Sequence, residues 1–598
     1  MPKSKNINIK YTNREFSTIK EDLVEYSKRY YPDSYKDFTK ASFGSMILDT
    51  VAYVGDILSY YVDYNANESF LDTAIEFDNI RKHARSLGYK FSGAPSSFGH
   101  LTFYALIPAD GEGMAPDTSY LPTIKTGTSV SSDNGANFVL TEDIRFDNPN
   151  NEFVAARFDP STGKTTHFAV MASGLIQSGV FYQSEINLSD STFERFKRIL
   201  ISESGISEIM SVYDYDGNQY FEVDNLAQET IFKETTNSNA LSEGVRSIIK
   251  PFVAPRRFVV EQDDTGTYLQ FGFGSNDEDA SGLTDPSKIA LKMHGKNTIS
   301  NLSFDPTKLI STNKLGISPH NTTLYITYRA TDNFDSSVPS NSINVITGLL
   351  IEFDDEPSLN KSEVDNIKNT IECSNIDPIT SLSQDISIEE LKVRAKSHYA
   401  TQGRAVTKQD YESVIYNMPT KFGAIKRANV INDASGRRNM KIYVISEDND
   451  GKLATTHDAV KNNIKKWLSN YKMMNDIIEI HDTIILNFNV NFTVMADKFF
   501  NPDAVYLKCI SSLEDYFSNT FYIGEPLYIT RLYEVLNKTE GVVDVKNISV
   551  ENKSSGRYSE FSLDFNKITS KDGTFIKVPK NVILELKYLE EDIIGTVL

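Results

Sequence analysis

Cysteine is scarce in this chain of 598 residues, which contains only Cys373 and Cys509. Two thiols so far apart in sequence exclude a disulfide-stapled scaffold and are typical of a reducing cytoplasm, although a single bridge between them stays open. The chain also lacks an apolar run of about 18 residues, and its N-terminus is polar where a signal peptide would be apolar. We therefore expect no membrane contact and a protein that stays in the cytoplasm where it is made.

Positive charge is also limited. The sequence has 61 Lys and Arg against 81 Asp and Glu, a formal net charge of -20. Because nucleic-acid affinity comes mainly from counterion release by clustered basic residues, an acidic chain without such a cluster is not expected to bind nucleic acid.

Motifs that would hold a cofactor or a metal are missing. There is no Gly-x-x-x-x-Gly-Lys loop for phosphates, and the eight histidines show neither His-x-x-x-His nor His-x-His spacing. The many carboxylates could form a catalytic pair, but an acidic surface already explains their abundance. We therefore expect no cofactor, no metal and no enzymatic activity.

The composition is that of a folded, soluble protein, with 40% hydrophobic and 24% charged residues. Its length predicts several domains rather than one. The predicted fold class is α+β multidomain. Its parts are a helical arm at 1–91, a β-rich body at 92–345, a connector at 346–380 and an α/β domain at 381–598.

The helical arm has an unusually broad apolar stripe, whose members recur at spacings of three and four residues. They are Ile47, Val51, Val54, Leu58 and Tyr61, widened by Met46, Tyr53, Ile57 and Tyr60. A stripe of this width requires burial on two sides. We interpret its aromatic residues as core rather than as a ligand-binding box.

The remaining parts differ in their periodicity. Short strands broken by Gly, Pro, Asn and Asp fill the body, and a helix over 362–372 is predicted in the connector. Strands and helices alternate in the last third, where the segment 486–494 reads Leu-Asn-Phe-Asn-Val-Asn-Phe-Thr-Val. Its period of two predicts one buried face and one asparagine face, which is either solvated, as we favour, or hydrogen-bonded to a partner.

The segment from Tyr399 to Val430 predicts a helix, a glycine stop, a second helix and a strand. Thr407 and Asp410 have the spacing of a capping box, which starts a helix near residue 408. Gly403 follows the preceding helix, where only glycine adopts the left-handed conformation without strain. A second segment, Gly524 to Val550, repeats the order of loop, helix, glycine break and strand.

These segments carry a family resemblance. The sequence QGRAVTKQDYE at 402–412, with the downstream Gly541–Val542 strand, resembles the baseplate J family of contractile phage tails. The stretch 30–74, followed by LGYK at 87–90 and LAQET at 226–230, resembles the inner-ring wedge subunits of T-even-type phage baseplates. With these regions the resemblance spans nearly the whole chain, and it makes the last domain baseplate-J-like.

The resemblance implies a structural subunit of a baseplate wedge in the virion tail, assembled in the host cytoplasm. Such subunits pair as homodimers, and the paired copies form a ring around the central hub. They bind other wedge proteins, and sheath-initiator and hub-proximal tail proteins, and they relay the change that triggers sheath contraction. The chain is shorter than the best-known T-even member, so parts that bind peripheral proteins are expected to be absent. A ring also needs one contact between unlike surfaces, because isologous pairs alone close as dimers.

We expect the wedge-partner contact in the helical arm and one self-contact in the last domain. The residues predicted for the self-contact are Gly403, Arg404, Thr407, Asp410, Tyr411, Arg531 and Leu532. Helix capping alone also explains Gly403 and Thr407. The alternative function is a receptor-binding or polysaccharide-degrading tail protein, but the sequence shows no fixed repeat that would favour it.

Overall fold

The computed structural model describes most of the chain. The described residues are 15–32, 39, 42–90, 95–110, 113–160, 163–189, 192–203, 205–236, 247–263, 266–274, 315–331, 337–380, 387–432, 439–448, 451–517 and 520–598. The chain divides into two compact units. The first unit combines residues 1–91 with 385–404, and the second combines 92–384 with 405–598.

Helices and strands have the following bounds in chain order. The helices are α1 Phe16–Tyr30, α2 Phe43–Glu68, α3 Phe77–Ser86, α4 Lys361–Asn369, α5 Ile388–Thr401, α6 Lys408–Tyr416, α7 Asp458–Ser469, α8 Pro502–Phe517, α9 Ile529–Asn537, α10 Phe565–Ile568 and α11 Leu589–Asp592. The strands are β1 Phe98–Pro108, β2 Thr123–Ile124, β3 Ser129–Ser132, β4 Asn137–Leu140, β5 Ile144–Arg145, β6 Phe153–Phe158, β7 Thr165–Ser178, β8 Val180–Asn187, β9 Arg198–Ile201, β10 Ile206–Asp214, β11 Gln219–Glu222, β12 Thr230–Thr236, β13 Ser247–Val253, β14 Arg257–Asp263, β15 Gly266–Phe271, β16 Thr323–Ala330, β17 Ile343–Gly348, β18 Ile351–Glu352, β19 Glu372–Ser374, β20 Arg427–Asn432, β21 Asn439–Glu447, β22 Leu453–Ala454, β23 Ile477–Asp482, β24 Ile484–Ala496, β25 Leu527–Tyr528, β26 Val542–Asn552, β27 Phe575–Ile576, β28 Val582–Glu585 and β29 Ile593–Val597. The predicted α+β multidomain class, with an N-terminal helical region and a β-rich body, is confirmed.

The first unit is completed by a helix from far along the chain. Ile80 and Ala84 of α3 share a small core with Leu391 and Ala395 of α5. Lys392 of α5 adds a hydrogen-bonded contact, because its Nζ donates to the carbonyl oxygens at residues 72 and 74, at 3.1 and 2.6 Å. The sequence-based boundary at 381 assigns α5 to the last domain, whereas the packing groups it with the N-terminal helices.

The β-rich part of the second unit contains two larger sheets. The first has the strand order β17-β3-β4-β7-β1-β19, with β6 also paired to β7, and the second has the order β8-β16-β10-β11-β14-β15-β9. A buried arginine ties them together: Arg329 of β16 donates to the hydroxyl of Ser96 at 3.1 Å and to the carbonyl of Ser178 at the end of β7. A buried charge needs such partners, and Glu208 supplies a carboxylate 3.6 Å away.

The predicted connector is built into the first of these sheets. Helix α4 places Val364 and Ile367 in the same core as the sheet residues, and β19 adds Cys373 to it. Cys509 belongs to a different core, in the last third of the chain. Both cysteines are free thiols, and burial raises the pKa of each to about 11.

The last third contains two four-stranded sheets with helices packed on them, and β25 and β27 form a further two-stranded sheet. Strand β21 pairs with β20 in antiparallel and with β23 in parallel orientation, and α7 lies between β21 and β23 in sequence. Strand β24 pairs with β26 along one side and with β28 and β29 in parallel orientation. Its apolar residues are buried as predicted, but the preference for a solvated asparagine face was wrong for Asn487 and Asn489, which are buried. The Asn487 amide donates to Glu585 at 2.7 Å, so a neighbouring strand satisfies it.

Candidate assembly surface

Helix α2 carries the broadest exposed apolar surface among the described residues. Its N-terminus is capped by Ser42, whose hydroxyl accepts the backbone N–H of Ser45 at 3.3 Å. Large apolar and aromatic side chains then stand exposed along its length. They are Phe43, Met46, Ile47, Val51, Tyr53, Val54, Ile57, Leu58, Tyr60, Tyr61 and Val62, which we call the α2 apolar face.

The polarity of α2 is inverted relative to an ordinary surface helix. At about 100° per residue, the apolar face from Phe43 to Val62 covers an arc of about 200°, and the only charged residue of α2 within that arc is the buried Glu68 at the C-terminal end. The three aspartates of the helix, Asp49, Asp56 and Asp63, lie on the other side together with small residues such as Ala52 and Gly55. Among the described residues, the sequence-based interpretation of the aromatic stripe as core is therefore not met, because these side chains are exposed.

Helix α1 packs on the small-residue side of α2. A Cβ built at Gly55 would lie 3.3 Å from the Ile19 side chain, so glycine lets the two helices approach closely. Lys20 of α1 forms an ion pair with Asp49 at 2.5 Å. The contact between α1 and α2 thus uses the polar side of α2, and the described part of the chain leaves its apolar face exposed.

The C-terminal end of α2 is firmly braced. Glu68 is buried and accepts hydrogen bonds from the backbone N–H of Ile75 at 2.8 Å and from the Asn79 amide at 2.9 Å. Burial alone would raise the pKa of this carboxyl, but the hydrogen bonds lower it by more. The pKa of Glu68 therefore lies below its ordinary value. The turn that Glu68 fixes contains the carbonyls at 72 and 74 that receive Lys392. The apolar face therefore projects from a helix whose end is fixed to α3 and α5.

The capping residues predicted from sequence do cap a helix. The Thr407 hydroxyl accepts the Asp410 backbone N–H at 3.2 Å, and Asp410 accepts the Thr407 backbone N–H at 2.8 Å. This capping box confirms the predicted start of α6. Gly403 has the predicted positive φ of +72°, and no atom lies within 4 Å of the position a Cβ would take. Arg404 beside it is exposed.

The remaining residues predicted for the self-contact lie in different environments. Tyr411 and Leu532 are both 0% exposed, and they belong to two separate cores. Arg531 is exposed, and its guanidinium lies 5.8 Å from the centre of the Tyr528 ring. Thus two of the predicted side chains, Tyr411 and Leu532, offer no area to a partner.

Tyr411 instead supports an exposed turn that sequence reasoning missed. Its hydroxyl donates to the Asp476 carboxylate at 2.7 Å, and the Asp476 backbone N–H donates to the Met473 carbonyl at 3.1 Å. Burial, followed by the bond to Asp476, raises the pKa of this phenol. The turn presents Met473 and Met474 to solvent. Two adjacent methionines in the polar stretch 469–476 were the only sequence signal for it.

Neither a metal centre nor a membrane helix is found in the described part of the chain. No group of three or more His, Cys, Asp or Glu side chains there has the arrangement needed to hold a metal ion. No helix among those residues is both long and apolar enough to cross a membrane.

Comparison with known proteins singles out the N-terminal helices. Residues 15–86, which include α1, α2 and α3, match the family model described as bacteriophage baseplate protein, N-terminal domain. No curated protein matches the chain. The cryo-EM structure of the anti-feeding prophage (AFP) baseplate, 6-fold symmetrised, is similar over 96% of this chain and 99% of that chain, at 9% identity and a TM-score of 0.26. A TM-score this low does not establish a shared fold. The N-terminal match supports a structural role in a bacteriophage baseplate.

Proposed function

We propose that this protein is a non-enzymatic structural subunit of a contractile phage tail baseplate wedge. In this role it joins the inner ring around the hub by self-association and binds other wedge proteins, including sheath-initiator and hub-proximal proteins. It relays the conformational change that triggers sheath contraction. Its location is the tail baseplate of the virion, after assembly in the host cytoplasm.

The α2 apolar face is the observation that carries this proposal. It lies inside the segment 15–86 that matches the baseplate N-terminal domain family. A contiguous exposed apolar surface of this extent on a soluble protein marks an interaction site. Its position within the matched segment supports a partner that is another baseplate protein.

The composition of the face indicates what kind of partner covers it. Since the arc from Phe43 to Val62 carries no charged residue, a charged partner surface would be desolvated there without compensation, whereas an apolar helix would not. Full burial of each large side chain contributes roughly 1.5–3 kcal/mol, so four of them could outweigh much of the cost of association. We therefore expect one or more apolar helices of neighbouring wedge proteins to pack on α2.

The inward side of α2 supports a role in relaying force. Because Glu68 and Lys392 fix the end of α2 to α3 and α5, a displacement of the partner helix would be transmitted to these helices rather than absorbed by a loose joint. A structural subunit needs this kind of connection between its contact surface and its core.

Co-expression of the chain with the neighbouring tail proteins tests the proposal. We expect the wild-type chain to co-purify with at least one of them, and Leu58→Asp to lose that partner because an unpaired carboxylate would be buried in the contact. Leu507→Asp is the matched control, since Leu507 also stands exposed on a helix, α8, at 65% against 59% for Leu58. Capture of the same partner by Leu58→Asp and wild type would contradict the proposed surface.

A further inference from the structure

Strands β12 and β13 form a two-stranded ribbon, and no further strand pairs with either of them in the described part of the chain. They run antiparallel over seven residue pairs, from Thr230 with Val253 to Thr236 with Ser247. A two-stranded ribbon by itself is marginally stable in water, whereas three strands with an apolar face form a stable sheet. The ribbon therefore has the form of a sheet that lacks a strand.

The two faces of the ribbon differ. On one face the Phe252 ring meets the ring of Phe221 in β11 edge to face, with 5.4 Å between the ring centres, and the Lys233 ammonium lies 4.1 Å from the centre of the Phe221 ring. Three apolar residues of the opposite face are 64–68% exposed, namely Phe232, Ile249 and Val253. The ribbon is thus anchored through one face and presents an apolar face to solvent.

The two long edges of the ribbon also differ. The Ala254 N–H donates to the Glu229 carbonyl at 2.8 Å, and hydrogen-bonded pairs alternate with non-hydrogen-bonded pairs along an antiparallel ladder. Phe232 and Pro251 are therefore a non-hydrogen-bonded pair, whose backbone groups point away from the partner strand. Pro251 has no N–H and so closes the β13 edge, as proline does on exposed edges. Phe232 directs an N–H and a carbonyl outward from the β12 edge.

Elsewhere the chain covers a strand edge with its own side chains. The outer N–H groups of β20 have side-chain acceptors: the Ala428 N–H donates to the Tyr416 hydroxyl at 2.8 Å and the Val430 N–H to the Glu412 carboxylate at 3.2 Å. On the β12 edge, the Gln228 amide donates to the carbonyl of residue 230 at 3.2 Å. Beyond that carbonyl, β12 keeps a row of outward backbone groups that a further strand could pair with.

Charge on the anchored face indicates which kind of strand fits. Lys233 and Lys250 lie directly opposite each other, and like charges in this arrangement destabilise a sheet. A strand added to β12 places a side chain beside Lys233 on the same face, where a carboxylate would form an opposite-charge pair. Antiparallel pairing with β12 of a second copy brings Ile231, Lys233 and Thr235 to this face, and none of them is acidic. The lysines therefore favour a strand of a different protein.

We infer that the β12 edge takes an extended strand of another protein, which completes a three-stranded sheet. In that strand acidic side chains lie beside Lys233, and apolar side chains extend the face that carries Phe232, because successive side chains of a strand alternate between faces. Main-chain hydrogen bonds give strand addition its affinity, and the alternating side chains give it specificity. This contact goes beyond the packing of helices proposed for α2 and does not depend on it.

Peptide binding to the full chain, followed by fluorescence anisotropy, tests the inference. The probe is a labelled peptide of seven residues, the length of β12, that alternates valine with glutamate, and its control has lysine in place of glutamate. At about 0.15 M salt, which screens distant charges, the glutamate peptide should bind about fivefold more tightly. The net charge of -20 would favour the opposite order. Equal binding of the two peptides, or tighter binding of the lysine peptide, would overturn the inference.

The substitution Phe232→Pro tests whether the peptide pairs with the edge. It closes β12 in the way that Pro251, directly opposite, closes β13, so binding of the glutamate peptide should be lost. Phe232→Ala keeps the N–H and should retain binding at reduced affinity. If Phe232→Pro bound the peptide as wild type does, or if both variants lost it equally, the edge would not be what binds. Thermal unfolding of the three proteins checks that each is folded.

Charge reversal provides a second test that leaves every backbone N–H in place. Lys233→Glu should reverse the preference, so that the lysine peptide binds more tightly than the glutamate peptide. Lys250→Glu is the matched control, because Lys250 lies on the same face but in β13, and it should keep the original preference. An unchanged preference in Lys233→Glu would place the peptide at another site and contradict the inference.

Two further readouts separate this contact from others. If wild type formed dimers in light scattering and Phe232→Pro abolished them, a second copy would occupy the edge and the inference would fail. Leu58→Asp, which changes the α2 apolar face, should bind the glutamate peptide as wild type does. Failure of the β12 contact and failure of the proposed baseplate contact at α2 are therefore distinguishable.

Discussion

Helices α2 and α7 follow the same apolar spacing but use it in opposite ways. In α7 the residues Val460, Ile464 and Leu468 are buried in the chain's own core, and Lys465 and Lys466 face solvent. In α2 the apolar residues face outward, and the aspartates lie on the side where α1 packs. The same periodicity thus gives a core helix in one case and an exposed face in the other.

The difference lies in the width of the stripe and in the placement of charge. A helix at the surface of a globular protein needs a polar face toward water, and α7 has one. From Phe43 to Val62 the outer arc of α2 has no charged residue, so we expect another apolar surface to cover it. An apolar stripe that covers more than half of the circumference of a helix can therefore indicate a contact with another chain, and not only packing in the chain's own core.

The largest expected effect comes from the buried stripe of α7. Leu468→Ala removes a side chain that is fully buried, so it should lower the free energy of unfolding by about 2–5 kcal/mol. Denaturant unfolding followed by the fluorescence of Trp467, the only tryptophan, measures this because Trp467 lies on the same helix. A loss of less than about 1 kcal/mol would mean that the α7 stripe is no more buried than that of α2.

A smaller effect is expected at the capping box that starts α6. Thr407→Ala should lower the free energy of unfolding by about 1 kcal/mol, since it leaves a backbone N–H without its acceptor. Thr407→Ser keeps the hydroxyl and serves as the control. Equal losses in the two variants would show that the side-chain oxygen is not what stabilises the helix start.

The start of α7 should also respond to pH, unlike the serine-capped start of α2. The Nδ1 of His457 accepts the Ala459 backbone N–H at 3.2 Å, which requires the neutral ring at that nitrogen. Burial first, and then nearby His100, lowers the pKa of His457 from its ordinary value of 6.5. The unfolded chain therefore binds this proton more readily, and stability should fall as the pH decreases below about 6.5.

The substitution His457→Asn isolates this contribution. Asparagine can cap the helix but does not titrate, so the decline in unfolding free energy between about pH 7 and pH 5 should become shallower. His481→Asn, at an exposed histidine of β23, is the matched control. An unchanged slope in His457→Asn would assign the pH dependence to other groups.

Local patterns in the sequence predicted the local features of the structure. Thr407 and Asp410 are three residues apart, and Gly403 lies two residues after the end of α5, so neighbouring residues determine the caps. The support of the exposed turn at Met473 and Met474 could not be predicted in this way, because Tyr411 and Asp476 are 65 positions apart. The same holds for α5, whose Lys392 binds carbonyls 318 and 320 positions earlier. Folding brings these groups together, and no short sequence motif predicts that they will be hydrogen-bonded to each other.

The smallest effect is expected when the α2 apolar face is changed in the isolated chain. Leu58→Asp places a carboxylate where the side chain already meets water, so the free energy of unfolding should change by no more than about 0.5 kcal/mol. The same variant should lose the proposed wedge partner. Comparing its effect on the free energy of unfolding with its effect on partner binding therefore distinguishes a contact residue from a core residue. Denaturant unfolding of the chain alone provides the first value, with Leu507→Asp as the reference. A loss comparable to that of Leu468→Ala would mean that Leu58 packs within its own chain, and α2 would then be a core helix like α7.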